Sequence, residues 1–133
     1  MPAKDHYHDT VARALIKDGW IISGEQVFIK LPERRLWIDL EAANADSRIL
    51  VEVKSYVRIQ SPVESLAASV GKYIIYRSSL DRLRDNRSLY LAIPENAFKG
   101  IFSETLGQLV IQRAKISLLV YDPSKEEIMR WIP

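Results

Sequence analysis

Tyr7, Val11, Ala14 and Leu15 fall three to four positions apart, which predicts an amphipathic helix over residues 4–18. Asp5 is placed to cap its start, and Gly19 is a natural stop with Lys17 in the last turn. Trp20 to Ile22 and Val27 to Leu31 have strand composition, and Ser23-Gly24-Glu25-Gln26 between them predicts a turn or a bulge. Pro32 ends the second run because it cannot donate to a ladder. From Leu36 to Glu41 the chain alternates. Leu36, Ile38 and Leu40 are expected on one face, and Trp37, Asp39 and Glu41 on the other. A small polar turn over 42–47 leads into Arg48 to Lys54, whose apolar residues occupy both faces, the pattern of a strand buried on both sides.

Ser61 as N-cap, Pro62 at the first helical position and Glu64 two residues on announce a second helix, ending near Leu80 to Leu83. Leu66, Val70, Tyr73 and Ile74 form its expected core face, and Gly71 is expected to allow close packing on a sheet. The charged stretch LDRLRDNR, residues 80–87, reads as a solvated helix end. Leu89 to Ile93 is an expected core strand, 95–102 and 104–113 are expected helical segments, and Ile116 to Tyr121 is an expected buried strand. Glu127 to Ile132 is expected to pair back through the turn at Asp122-Pro123-Ser124-Lys125. This order predicts a mixed α/β sheet flanked by helices, with a C-terminal β-hairpin.

A chain of 133 residues suggests a single domain, residues 1–133. The absence of cysteine excludes a disulfide framework and a thiolate zinc site. No apolar run approaches the ~18 residues that a membrane span needs, and MPAKDHYHDT lacks the pattern of a signal peptide. The expected location is therefore the cytoplasm, with no membrane partner. A net charge of +2 is small for a protein that coats nucleic acid. It suits a nuclease whose carboxylates offset its phosphate-binding cations.

The candidate chemistry lies between Trp37 and Tyr56. Glu52 and Lys54 stand among Ile49, Leu50, Val51 and Val53, and burying such groups is costly unless they find partners. If the two strands are antiparallel neighbours, Asp39 projects from the same side as Glu52. Two carboxylates and the Val53 carbonyl would then suit Mg²⁺ or Mn²⁺, which take oxygen ligands. Lys54 would orient a water or stabilise developing charge in phosphodiester hydrolysis. The competing reading is an Asp–Lys or Glu–Lys pair that satisfies itself at a strand end. His8, Lys72 and Tyr76 are candidate supporting residues. His8 reads either as a boundary histidine bonded to a neighbouring strand or as a helix-borne group reaching the site. Lys72 and Tyr76, one turn apart, either lean toward Lys54 or belong to helix surface and core. Arg34 and Arg35 are solvated or meet a nucleic-acid backbone. A Gly-rich phosphate loop, a His-Glu-x-x-His helix and a Gly-x-Ser-x-Gly elbow are all missing.

The chain resembles the XisH family along nearly its whole length. The likeness rests on Asp5 and His8 followed by Ala14-Leu15-Ile16-Lys17-Asp18-Gly19-Trp20, on Val51-Glu52-Val53-Lys54-Ser55, and on Gly71-Lys72-Tyr73 with Tyr76. It continues through Leu89-Tyr90-Leu91-Ala92-Ile93-Pro94, Leu119-Val120-Tyr121-Asp122-Pro123 and Trp131-Ile132. The resemblance implies a restriction-endonuclease-like PD-(D/E)XK fold with Asp39, Glu52 and Lys54 as its acid and acid-x-lysine positions. It also implies a role in controlling excision of the fdxN DNA element in heterocyst-forming cyanobacteria, with DNA and an XisI-type protein as partners and room for a homo-oligomer. Two departures stand out. Many relatives carry Gln where this chain has Lys72, and the run Ser23 to Lys30 differs from the usual Asp-Pro-containing one.

Overall fold

The computed structural model describes residues 4–57 and 61–133; residues 1–3 of the N-terminal stretch lie outside them. Six strands form one sheet: β1 (Ile21–Lys30), β2 (Arg35–Ala43), β3 (Arg48–Val53), β4 (Ser88–Pro94), β5 (Leu118–Asp122) and β6 (Glu127–Ile132). They lie side by side in chain order. The β1–β2, β2–β3 and β5–β6 pairs are antiparallel, and β3–β4 and β4–β5 are parallel. Helices α1 (His8–Lys17) and α2 (Pro62–Arg82) cover opposite faces, and the short α3 (Glu95–Lys99) and α4 (Thr105–Ala114) join α2. Val11 and Leu15 of α1 pack on Leu40, Val51, Val53 and Leu119. Leu66, Tyr73, Tyr76 and Leu80 of α2 pack on Ile38, Leu50, Leu89 and Leu91. β3, β4 and β5 contribute to both layers, as the apolar character of both faces of residues 48–53 predicts. The expected mixed α/β sheet with flanking helices and a C-terminal β-hairpin is the one observed. Among the described residues no helix is long and apolar enough to cross a membrane.

Several local expectations change. The two runs expected on either side of Ser23–Gln26 are one continuous strand β1, and of the turn or bulge predicted between them the bulge is observed, with the register shifting between Ile22 and Gly24. β2 runs on to Ala43, so its turn shrinks to Asn44–Ser47, where the Asn44 side-chain oxygen accepts from the amides of Asp46 and Ser47 at 2.9 Å each. Helix α1 starts at His8, and no side chain caps it. Strict alternation also fails in β2, because Ile38 enters the α2 layer and Leu40 the α1 layer. The break falls at Asp39. Opposite it Gln26 has a φ of 48°, in the left-handed region that swings the chain away from a regular pleat.

On α2 the Ser61 hydroxyl accepts from the Glu64 amide at 3.2 Å, as its N-cap position predicts. The buried stripe, however, is Leu66, Ser69, Tyr73, Tyr76, Ser79 and Leu80, while Ile74, expected in the core, is 46% exposed. The stretch over 80–87 is not merely solvated either. Arg87 holds Asp85 and reaches the buried Glu41 at 2.6 Å.

Two glycines separate backbone freedom from packing need. A Cβ at Gly71 would meet nothing within 4 Å, so close helix–sheet packing does not explain it. A Cβ at Gly107 would collide with the Ile101 carbonyl and the Phe102 backbone. We expect Gly71→Ala to stabilise the protein by about 0.5–1 kcal/mol through better helix propensity. Gly107→Ala should destabilise it by about 1–3 kcal/mol through overpacking. Urea titration of the two variants checks both signs.

Candidate active site

The pairing of β2 with β3 stops at Leu40 and Val51. Beyond that point side chains take over the ladder. The Asp39 amide donates to Glu52 Oε1 at 3.3 Å, and the Val53 amide donates to Asp39 Oδ2 at 2.7 Å. The strands part where an acid sits on each, so both carboxylates are fixed by the backbone of the opposite strand. They open onto a cavity of about 220 Å³ walled by Trp37, Val53, Lys54, Lys72, Asp5 and Ser69, among others.

The cavity gathers most of the residues that the sequence singled out. Asp39, Glu52, Val53, Lys54 and Lys72 all line it. Lys54 follows the last residue of β3, and its amide donates to the Ala92 carbonyl at 3.0 Å, which ties the position to β4. The partner of Glu52 is Lys72, whose Nζ lies 2.8 Å from Glu52 Oε2. Lys72 therefore leans to the carboxylate rather than toward Lys54, and the Glu52–Lys54 self-pairing does not form. Tyr76 stands behind the wall. Its hydroxyl donates to the Trp37 carbonyl at 2.8 Å, and Lys72 Nζ lies 5.9 Å from the centre of its ring. His8 does not line the cavity. It is buried on the α1 side with Nε2 2.8 Å from Glu25 Oε1, the arrangement of a boundary histidine bonded to a strand.

Among the other wall residues, Asp5, Ser69 and Trp37 carry polar or aromatic groups that the sequence reading did not assign to the site. Asp5, expected to cap α1, instead accepts from the Ser55 amide at 3.3 Å and the Tyr7 amide at 3.1 Å, which ties the N-terminal segment to the end of β3. Nothing in the local pattern could show that contact. Ser69 lies in the buried stripe of α2, and its hydroxyl pairs with the Tyr56 hydroxyl at 2.7 Å. Its signal was available, because a serine between Leu66 and Tyr73 at helical spacing is a polar residue on a core face. Trp37, two residues before Asp39 and expected on the same face, also lines the cavity.

Electrostatics distinguish this pair of acids from the others. Burial raises the Asp39 pKa, more than the Val53 amide lowers it. Burial, then the charge of Asp39, push Glu52 up to about 8 against the pull of Lys72. Each carboxyl thus resists ionising beside the other, and the Lys72 ammonium is the cation that faces the pair. Burial pulls the Lys72 pKa down, but its hydrogen bond and charge contact with Glu52 prevail and raise it. Burial and the Glu52 charge push Tyr76 up to about 12, so its phenol remains a donor. Carboxylate and carbonyl oxygens are the donors that a hard divalent cation would take here, and it would have to displace the proton and the Lys72 ammonium from Glu52.

A family profile described as "XisH protein" matches residues 1–129. The crystal structure of an XisH family protein from Nostoc punctiforme PCC 73102 superposes with a TM-score of 0.91 at 32% identity, covering 97% of this chain and 100% of that one. The crystal structure of a fdxN element excision controlling factor protein from Anabaena variabilis does so with a TM-score of 0.90 at 32% identity, covering 96% and 98%. A sequence comparison with curated proteins finds no match.

The raised Glu52 pKa has a definite sign for stability. Folding holds the proton above the ordinary value of 4.5 and up to about 8. The contribution of Glu52 is therefore fully present below about 4.5 and is lost as pH rises through about 8. Glu52→Gln removes the titration, so its stability advantage over the parent should grow across that window, to a few kcal/mol at most. Thermal unfolding of both proteins at several pH values, without divalent ions, checks this. An advantage that is constant with pH would contradict it.

Proposed function

The chain belongs to the XisH family, and from that premise we propose that it controls excision of an fdxN-type DNA element as a Mg²⁺- or Mn²⁺-dependent endonuclease. The observation that carries this reading is the parting of β2 and β3, which directs Asp39 and Glu52 into one cavity beside Lys54. Asp39, Glu52 and the Val53 carbonyl would hold the ion. When bound, the ion supplies an acidified water and neutralises charge on the scissile phosphate.

The remaining work falls to the protein. The Val53 amide keeps one Asp39 oxygen occupied and so fixes the direction of the other. The Asp39 amide does the same for Glu52. Lys54, tied to β4 through its backbone, presents a point cation at the cavity, suited to orienting a water and to countering charge that develops on phosphate oxygens. Lys72 must leave Glu52 Oε2 before that oxygen can bind anything else. The Tyr76–Trp37 hydrogen bond holds α2 against β2 while it does so.

The same Lys72–Glu52 contact favours a second reading. A tethered ammonium already satisfies the carboxylate, so the site would suit a non-catalytic module that binds DNA or an XisI-type partner and directs a separate recombinase.

We expect Asp39→Asn, Glu52→Gln and Lys54→Ala each to lower metal-dependent DNA cleavage about a hundredfold or more with the fold retained. Lys72→Gln should tighten Mg²⁺ binding about tenfold by calorimetry, at a pH high enough that protons compete little. If purified protein cuts no form of DNA with Mg²⁺ or Mn²⁺, alone or with its partner, and excision in cells survives Asp39→Asn, the second reading replaces the first.

A further inference from the structure

The outer half of the β1–β2 hairpin has two unlike faces. Val27, Ile29, Leu36 and Ile38 turn inward to the α2 layer. The opposite face carries two cross-strand pairs, Phe28 with Trp37 and Lys30 with Arg35. The two rings touch, with centroids 5.7 Å apart, although Phe28 is 49% exposed. Lys30 and Arg35 are exposed and face one another directly. Among the described residues no carboxylate lies within 4.0 Å of either.

That arrangement is unfavourable for a plain hairpin. Like charges directly opposite in an antiparallel pair repel, and the exposed Phe28 ring beside a half-buried Trp37 leaves apolar area in water. Both features become favourable against one kind of ligand, a chain of anions carrying flat rings. Single-stranded nucleic acid has that chemistry, with bases stacking on aromatic faces and phosphates meeting the cations. Position supports it too. Trp37 belongs both to the ring pair and to the cavity wall. Asp39 lies two residues further along the same strand, roughly 7 Å at strand rise. In an intact duplex the bases are stacked on one another and cannot stack on the rings.

We propose that Phe28, Lys30, Arg35 and Trp37 form a binding face for an unpaired nucleic-acid strand, leading to the cavity at Asp39 and Glu52. The binding face stands without metal chemistry, whereas its leading to a site of cleavage rests on the function proposed above.

The test uses the whole chain, in chelator, with a fluorescent oligothymidine as probe, so strand binding is read separately from cleavage. Phe28→Ala should weaken binding about tenfold. Lys30→Gln with Arg35→Gln should reduce the salt dependence of log K by about one to two. Neutralising Arg82 and Arg113, exposed on α2 and α4, should leave that slope unchanged. Heparin, a polyanion without bases, should bind at least tenfold more weakly and show no loss with Phe28→Ala. The proposal is overturned if Phe28→Ala binds like the parent. It is equally overturned if both charge pairs lower the slope alike, or if duplex DNA binds as tightly as the single strand.

Discussion

The geometry of the molecule turns on the 2.7 Å hydrogen bond from the Val53 amide to Asp39 Oδ2. A backbone donor in the middle of a sheet must be paired, and an unpaired one costs as much as a lost hydrogen bond. Here it is paired by a side chain, which lets β2 leave β3 without leaving the amide orphaned. The reciprocal contact, Asp39 amide to Glu52 Oε1, closes the same gap from the other side. The two acids are thus structural at one oxygen each, and the second oxygen of Glu52 faces the Lys72 ammonium. The cavity exists because two carboxylates have replaced one rung of the ladder.

The parting of the strands then propagates outward. Inside it, Leu40 packs under α1; outside it, Ile38 packs under α2. The switch needs slack in the neighbouring strand, which the left-handed Gln26 supplies. Beyond the switch, Phe28 and Trp37 belong to neither helix-covered core among the described residues. The open cavity and the hairpin face of Phe28 and Trp37 therefore have one cause.

This also explains what could be read from the sequence. Element order, the polarity of β3 and the pairing of Asp39 with Glu52 are local matters of period and composition, and they were legible. The faces of β2 were not, because alternation assumes an unbroken pleat, and Ile38 and Leu40 lie on either side of a break. The core face of α2 was misread at Ile74 for a related reason. Its buried stripe uses Ser69, Tyr76 and Ser79, whose hydroxyls satisfy themselves on Tyr56, Trp37 and the Ile75 carbonyl. Apolar spacing alone cannot recognise a polar residue that has found a partner. Asp5 could not be placed at all, since its contact with Ser55 spans fifty positions.

β2 also contains its own control. Glu41, two residues from Asp39, is as buried as Asp39. Burial pushes its pKa up, but hydrogen bonds from Arg87 and Ser23, at 2.6 and 2.8 Å, outweigh it and leave it lowered. Asp39 has an amide instead of a guanidinium and remains raised. One strand therefore holds an acid whose charge is fully compensated within the fold and another whose charge is not. A guanidinium held on two carboxylates is a permanent partner. An ammonium reaching one oxygen from a half-exposed helix position, as Lys72 does, is a partner that can leave. Solvent exposure alone would not have separated the two acids. The strength and permanence of the opposing cation do, and they single out Asp39 and Glu52 as the pair left open to a ligand.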